Sequence, residues 1–318
     1  MLALLALPLL AVNAAHAETT YWRVTMDRVT VIANGSSERC IRLATQLTVF
    51  ERLLRELADW SRDYQPPPIA LYSLSQADAR HVLLSEADQR RQAAANMQIF
   101  SKFLPGRDFN IAAIVDVGGS DDPLQSVLLL YAESALLSGP TQHYPPWFQL
   151  GVANLLNGLM IRTDGSVLLN RNVSFEPLEE KRPAAHAPYD LLKLLEVRAA
   201  DLNAGAADYR EFLRAARDWA EFGVLTTPQR RSQYRELATL MRQGAPAAEA
   251  MQDAFGVPFA QVADEFRAGA WRKEAQFRMT PQGGPVAVPQ PAKLDAGQAT
   301  TLLQVVAARA TAARPERM

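Results

Sequence analysis

Apolar residues recur at alternating steps of four and three through Leu43, Leu47, Phe50, Leu54 and Leu57. That stripe predicts one long amphipathic helix, closed near Trp60 and the Pro66-Pro67-Pro68 run. Upstream, Tyr21 to Ala33 is rich in β-formers and reads as one strand or a tight hairpin. Asn34-Gly35-Ser36-Ser37 reads as a turn and helix cap. Ile69–Ser73 and Phe109–Val117 are the next predicted strands, with a polar helical stretch from Glu86 to Phe103 between them. Pro123 fits a first helical turn, where its missing N–H costs little. The helix it opens, 123–138, stops before Gly139-Pro140, and a second helix, 146–158, stops at Asn157-Gly158. Met160 to Leu169 reads as a hairpin around Asp164-Gly165. Pro188 to Arg272 is helical in pattern, with breaks near Gly205, Thr226-Thr227-Pro228 and Gly256. Pro281 to Pro291 is a semi-extended, Pro-rich linker. Asp295 then caps a final Ala/Leu/Val-rich helix to about Ala313.

Composition narrows the class. The 318 residues are 48% hydrophobic and 21% charged, which suits one large or two small globular domains. A net charge of −1 gives no electrostatic footprint for nucleic acid or an anionic membrane. Leu2 to Val12 is an apolar run of signal-peptide length, and Ala15-His16-Ala17 follows as a small-residue cleavage site. The run is too short to span a bilayer, so export is expected with cleavage after Ala17, to a periplasmic or secreted destination. No Lys or Arg precedes the apolar run, which departs from the usual signal pattern. Cys40 is the only cysteine, so no intrachain disulfide forms, and its setting in the first helix predicts a partly buried, chemically quiet thiol.

Candidate chemistry concentrates in two segments. The first is the helix Ser126-Val-Leu-Leu-Leu-Tyr-Ala-Glu-Ser-Ala-Leu-Leu137. The second is Tyr144-Pro-Pro-Trp-Phe-Gln-Leu-Gly-Val-Ala-Asn154. Together they resemble the paired active-site helices of gluzincin-type zinc metallopeptidases, in the bacterial secreted branch with a peptidase MA-like domain. In that family the first helix reads H-E-Y-x-H and the second Y-P-x-W-hydrophobic-x-E-G-x-A-E. This chain keeps Tyr144-Pro145, Trp147, Gly151 and Ala153. Two later segments resemble the same family. Ala216 to Leu225 matches A-Q-S-W-A-L-V-H-Y-L, keeping Trp219 and Ala220 but with Gly223 in place of the His. Ala254 to Arg267 matches the family's closing A-F-G…R pattern, and the likeness covers roughly residues 20 to 272.

The resemblance also shows what is missing. With Tyr131 and Ala132 aligned on the middle of the first motif, Leu129 stands at the first zinc histidine. Leu130 stands at the general-base glutamate, and Glu133 at the second histidine. In the second motif Leu150 replaces the glutamate before the Gly, and Asn154 the glutamate that would be the third ligand. Two imidazoles at i and i+4 share a metal, while the glutamate between them polarises the bound water. Leucine offers no lone pair, so one carboxylate and one amide remain, too few for a catalytic zinc site. The resemblance therefore implies a degenerate member with no catalytic residue, no metal and no cofactor. It leaves two uses for these positions: the leucines pack the former metal cavity, or the former groove still binds a peptide or another envelope protein. Its candidate groove or scaffold residues are Tyr131, His143, Tyr144, Trp147, Gly151 and Trp219.

Other chemistries lack their residues. The four histidines (16, 81, 143 and 186) never pair at ligand spacing. No phosphate-cradling Gly-rich loop and no G-x-S-x-G elbow occurs. Asp121 and Asp122 are adjacent, so they point apart and suit a helix cap better than a catalytic pair. Two alternatives stand beside the pseudoenzyme reading: an active metallopeptidase using Glu133, His143 and His186, and an unrelated helical structural protein. The expected fold is α+β and predominantly helical, a small mixed sheet packed on the paired helices, with a C-terminal helical subdomain. The expected division is 1–17 signal peptide and 18–274 gluzincin-like domain (18–120 with the sheet, 121–274 helical). A linker at 275–293 and a C-terminal helix and tail at 294–318 complete it.

Overall fold

The computed structural model describes residues 20–58, 66–85, 88–89, 101–115, 123–137, 144–161, 166–170, 190–202, 207–269, 276–279 and 286–313. The strands are β1 (Tyr21–Met26), β2 (Val29–Asn34), β3 (Ile69–Leu74), β4 (Ser101–Leu104) and β5 (Asn110–Val115). They continue as β6 (Leu159–Ile161), β7 (Val167–Asn170), β8 (Gln276–Met279) and β9 (Ala292–Lys293). The helices begin with α1 (Ser37–Ala58), α2 (Gln76–Leu83), α3 (Pro123–Leu137), α4 (Pro146–Asn157) and α5 (Leu191–Glu196). The rest are α6 (Ala207–Leu225), α7 (Pro228–Arg242), α8 (Ala247–Phe255), α9 (Phe259–Ala268) and α10 (Ala296–Ala312). The fold is therefore mixed α and β, and no described helix is long and apolar enough to cross a membrane.

The chain divides into two compact units, the first taking residues 1–48, 67–127 and 287–318. It is built on a mixed sheet in the order β4-β5-β3-β2-β1-β9. Met26 pairs with Val29 across a two-residue turn, so the β-rich start is a hairpin rather than one strand. β2, β3 and β5 run parallel, and α1 supplies the crossover that the β2–β3 pair requires. Gly35, at φ 92, makes the turn into α1, and Ser36 accepts the Arg39 N–H there. The predicted stripe Leu43, Leu47, Phe50, Leu54 and Leu57 is buried along that helix. β5 is buried at every position, as befits a strand covered on both faces. Its Ile111, Ala113 and Val115 pack with Tyr72 and Leu74, with Val82 and Leu83 of α2, and with Leu303, Val306 and Ala310 of α10. The C-terminal helix is thus part of this core. Asp295 caps it as its sequence predicts, accepting from Gln298 N while Gln298 reaches back to Asp295 N.

The second unit takes residues 49–66 and 128–286. Its small sheet is antiparallel in the order β6-β7-β8 and includes the predicted hairpin of Met160 and Leu169, whose turn lies outside the described residues. Its aromatic core joins α4, α6, α7, α8 and α9. Trp147 meets Phe148 and Tyr234 edge-on, and Trp219 contacts Phe222, Phe255 and Phe266.

Three local expectations change. Ser101 to Phe103, read as the end of a polar helix, belong to strand β4, because the backbone is taken up by the β5 ladder from Ser101↔Ile114 to Leu104↔Ile111. Most of the remaining 86–100 stretch lies outside the described residues. Gln276–Met279 and Ala292–Lys293 pair with β7 and β1, so two stretches of the segment read as linker are sheet. A further helix break occurs at Gly244, at φ 96, where α7 gives way to the turn before α8.

Candidate functional site

On α3 the buried positions are Leu124, Val127, Leu128, Tyr131, Ala132, Ala135 and Leu136. They recur at i, i+3, i+4, i+7 and so on, one stripe of a 3.6-residue helix. Tyr131 belongs to this stripe, with its ring 6.4 Å from that of Phe50, so it is scaffold rather than groove. The other face carries Ser126, Leu129, Leu130, Glu133 and Ser134. Leu129 and Glu133 are half-buried and Leu130 is 41% exposed. The reading in which these leucines fill a former metal cavity does not hold for Leu130. Three consecutive leucines turn through about 200° of helix, and only Leu128 lies on the buried stripe.

Helix α4 starts at Pro146 behind Pro145, with no side-chain cap. Within it only Pro146, Leu150 and Asn154 are half-buried, and every other residue is buried. Those three sit at i, i+4 and i+8, so α4 has a single partly open face, and it carries both motif positions. The Asn154 amide donates to the Leu150 carbonyl at 2.7 Å, turned back onto its own helix. Gly151 lies against α6: a Cβ built there would stand 2.5 Å from the Ala216 carbonyl oxygen and 3.4 Å from Ala220 Cβ. That close approach is a physical reason for the Gly, and for the small Ala216 and Ala220 opposite it. Trp147 and Trp219 are fully buried and serve the core. Tyr144 is half-buried, stacked on Phe148 with centroids 4.6 Å apart. His143 and His186 lie outside the described residues.

The electrostatics of the site centre on Glu133. Burial raises its carboxyl above the ordinary value of 4.5. Tyr209, in the first turn of α6, is pushed up by its own burial first and by the Glu133 charge second. Neither the phenol nor the paired helix positions supplies a second strong ligand. Among the described residues no group of three or more His, Cys, Asp or Glu is placed to hold a metal ion. Among the described residues, what the site offers is the half-buried Glu133 carboxyl, able to take up a proton, on the same face of α3 as Leu129 and Leu130.

Two residues near these positions carry no signal in the sequence: Tyr209, and Arg242, whose guanidinium lies 5.0 Å over the Tyr144 ring. Each lies far along the chain from the residue it acts on, and no fixed spacing announces them. No protein-family model matches this chain, and no curated protein matches it.

Proposed function

We propose that the chain is an exported, non-catalytic relative of the gluzincin-type metallopeptidases, whose former metal-helix surface binds a peptide or protein segment. The exposed side chain of Leu130, at the position of the catalytic base in the resemblance, is the observation that carries this reading. With half-buried Leu129 and Glu133 on the same helix face, it offers apolar contact area where a peptidase would present a ligand set. Leu150 and Asn154 on the open face of α4 are of the same kind, able to contact a chain but not to activate water.

Two measurements test the proposal. The purified protein should carry no stoichiometric zinc by elemental analysis and should not hydrolyse peptides with zinc added. It should also retain peptides from a random library, with binding weakened by Leu130→Glu, a change at an exposed position whose folding is checked by circular dichroism. Stoichiometric zinc together with hydrolysis would replace this reading by an active peptidase with ligands such as Glu133 and His143. Retention unaltered by Leu130→Glu would remove the α3 face from the proposal.

A further inference from the structure

We propose that Arg242, held against Tyr144 at the start of α4, is a carboxylate-binding subsite for the bound segment. The inference rests on the peptide-binding reading above and names part of its chemistry.

The guanidinium is held in place by a stack. It lies over Tyr144 at 5.0 Å, Tyr144 stacks on Phe148 at 4.6 Å, and Phe148 stacks on buried Tyr234 at 5.5 Å. Among the described residues Arg242 makes no ion pair and no hydrogen bond, and its Nε is buried without an acceptor. Its neighbours in the same unit differ: Arg230 holds Glu265, Arg231 holds Glu56, and Arg55 holds Glu51.

The helix end on which Arg242 sits does not use it. The carbonyls of Thr239, Leu240 and Met241 already accept backbone N–H groups from Gln243, Gly244 and Ala245. The surroundings also favour negative charge. Helix α4 begins two residues after Tyr144 with no side-chain cap and no acidic residue in its first turn, so no side chain of that turn offsets the positive end of its dipole. A guanidinium fork meets a planar carboxylate through two parallel hydrogen bonds. One guanidinium matches the single charge of a carboxylate. An acidic side chain and a free chain terminus both provide that group.

The test uses three acetylated tripeptides and the full chain: Ac-Ala-Leu-Leu with a free carboxylate, Ac-Glu-Leu-Leu amide, and neutral Ac-Ala-Leu-Leu amide. Dissociation constants are measured by ligand-observed NMR on the wild type, Arg242→Gln and Arg242→Lys. At least one charged peptide should bind about tenfold more tightly than the neutral one. Which of the two does so identifies the source of the carboxylate. Arg242→Gln should abolish that preference while leaving the neutral peptide's affinity within about twofold, and Arg242→Lys should restore part of it. Equal binding of all three peptides to the wild type overturns the subsite and leaves the peptide reading standing, whatever the variants do. A preference that survives Arg242→Gln also overturns it. Binding of none of the three overturns the subsite together with the peptide reading.

Discussion

Gly151 of α4 faces the main chain of Ala216 in α6 so closely that a Cβ on Gly151 would stand 2.5 Å from the carbonyl oxygen and 2.9 Å from the carbonyl carbon. Both atoms are backbone, so no rotamer change relieves the overlap. In an exposed helix Gly→Ala gains about 1 kcal/mol. Here overpacking forces the two helices apart, and Gly151→Ala should destabilise the protein by about 2 kcal/mol. Urea unfolding of the variant reads this directly, and an unchanged or raised midpoint would show that α4 and α6 do not meet as described.

Tyr21 donates its phenol to Asp78 Oδ2 at 2.5 Å, and Ser75 donates to the same oxygen at 2.6 Å. Asp78 is only 2% exposed, so loss of either donor leaves a desolvated carboxylate short of a partner. Tyr21→Phe keeps the ring in the core and removes only the hydroxyl. It should cost about 2 kcal/mol, the range for hydrogen bonds to charged groups. Burial, and next the Asp78 hydrogen bond, also push the Tyr21 phenol far up. The native state therefore holds that proton at pH values where the unfolded chain has lost it, and stability should fall as pH rises through about 10, the ordinary tyrosine value. The Tyr21→Phe variant should lack that alkaline slope, and matching alkaline profiles for the two proteins would contradict the assignment.

How much of this was legible in the chain follows from the range of each interaction. The Leu43-to-Leu57 stripe, the Asp295 cap and the Met160–Leu169 hairpin rest on contacts within a few residues, and each is found where its pattern puts it. Strands β4 and β8 were not legible, because their pairing with β5 and β7 decides their state over a weak local preference. The exposure of Leu130 follows from helix geometry once the buried stripe is fixed by Tyr131 and Ala132, but a run of leucines alone does not tell which one turns outward. The stacking of Arg242 on Tyr144 and the influence of the Glu133 charge on Tyr209 join segments distant in the chain, beyond the reach of any spacing rule.

Cys40 is fully buried on α1, its thiol directed at the carbonyls of Trp22 and Val31. Burial pushes its pKa up to about 11, so almost no thiolate exists near neutral pH. A thiol reagent such as Ellman's should therefore leave the native protein unmodified and react with one equivalent once the chain is unfolded in guanidinium. Rapid stoichiometric reaction of the native protein at pH 8 would mean that the hairpin and α1 do not cover this side chain.

Glu133 gives the second pH-dependent prediction, opposite in its chemistry to a salt-bridged acid. Burial raises its folded-state pKa above the ordinary 4.5, with no hydrogen bond among the described residues to offset the desolvation. The native state therefore binds a proton more readily than the unfolded chain, and stability falls as pH rises from the ordinary glutamate range through the raised value. Above that window the penalty of a desolvated charge is constant. Glu133→Gln removes it, so the variant should be more stable than the wild type at neutral pH, and the two should converge below about pH 4. The same change removes a negative charge beside Tyr209 and should let that phenol ionise at lower pH, visible as an ultraviolet difference titration absent from a Glu133→Gln, Tyr209→Phe double variant. A Glu133→Gln protein less stable than the wild type at pH 7 would mean that the carboxylate has a partner in the fold and is not the bare acid described here.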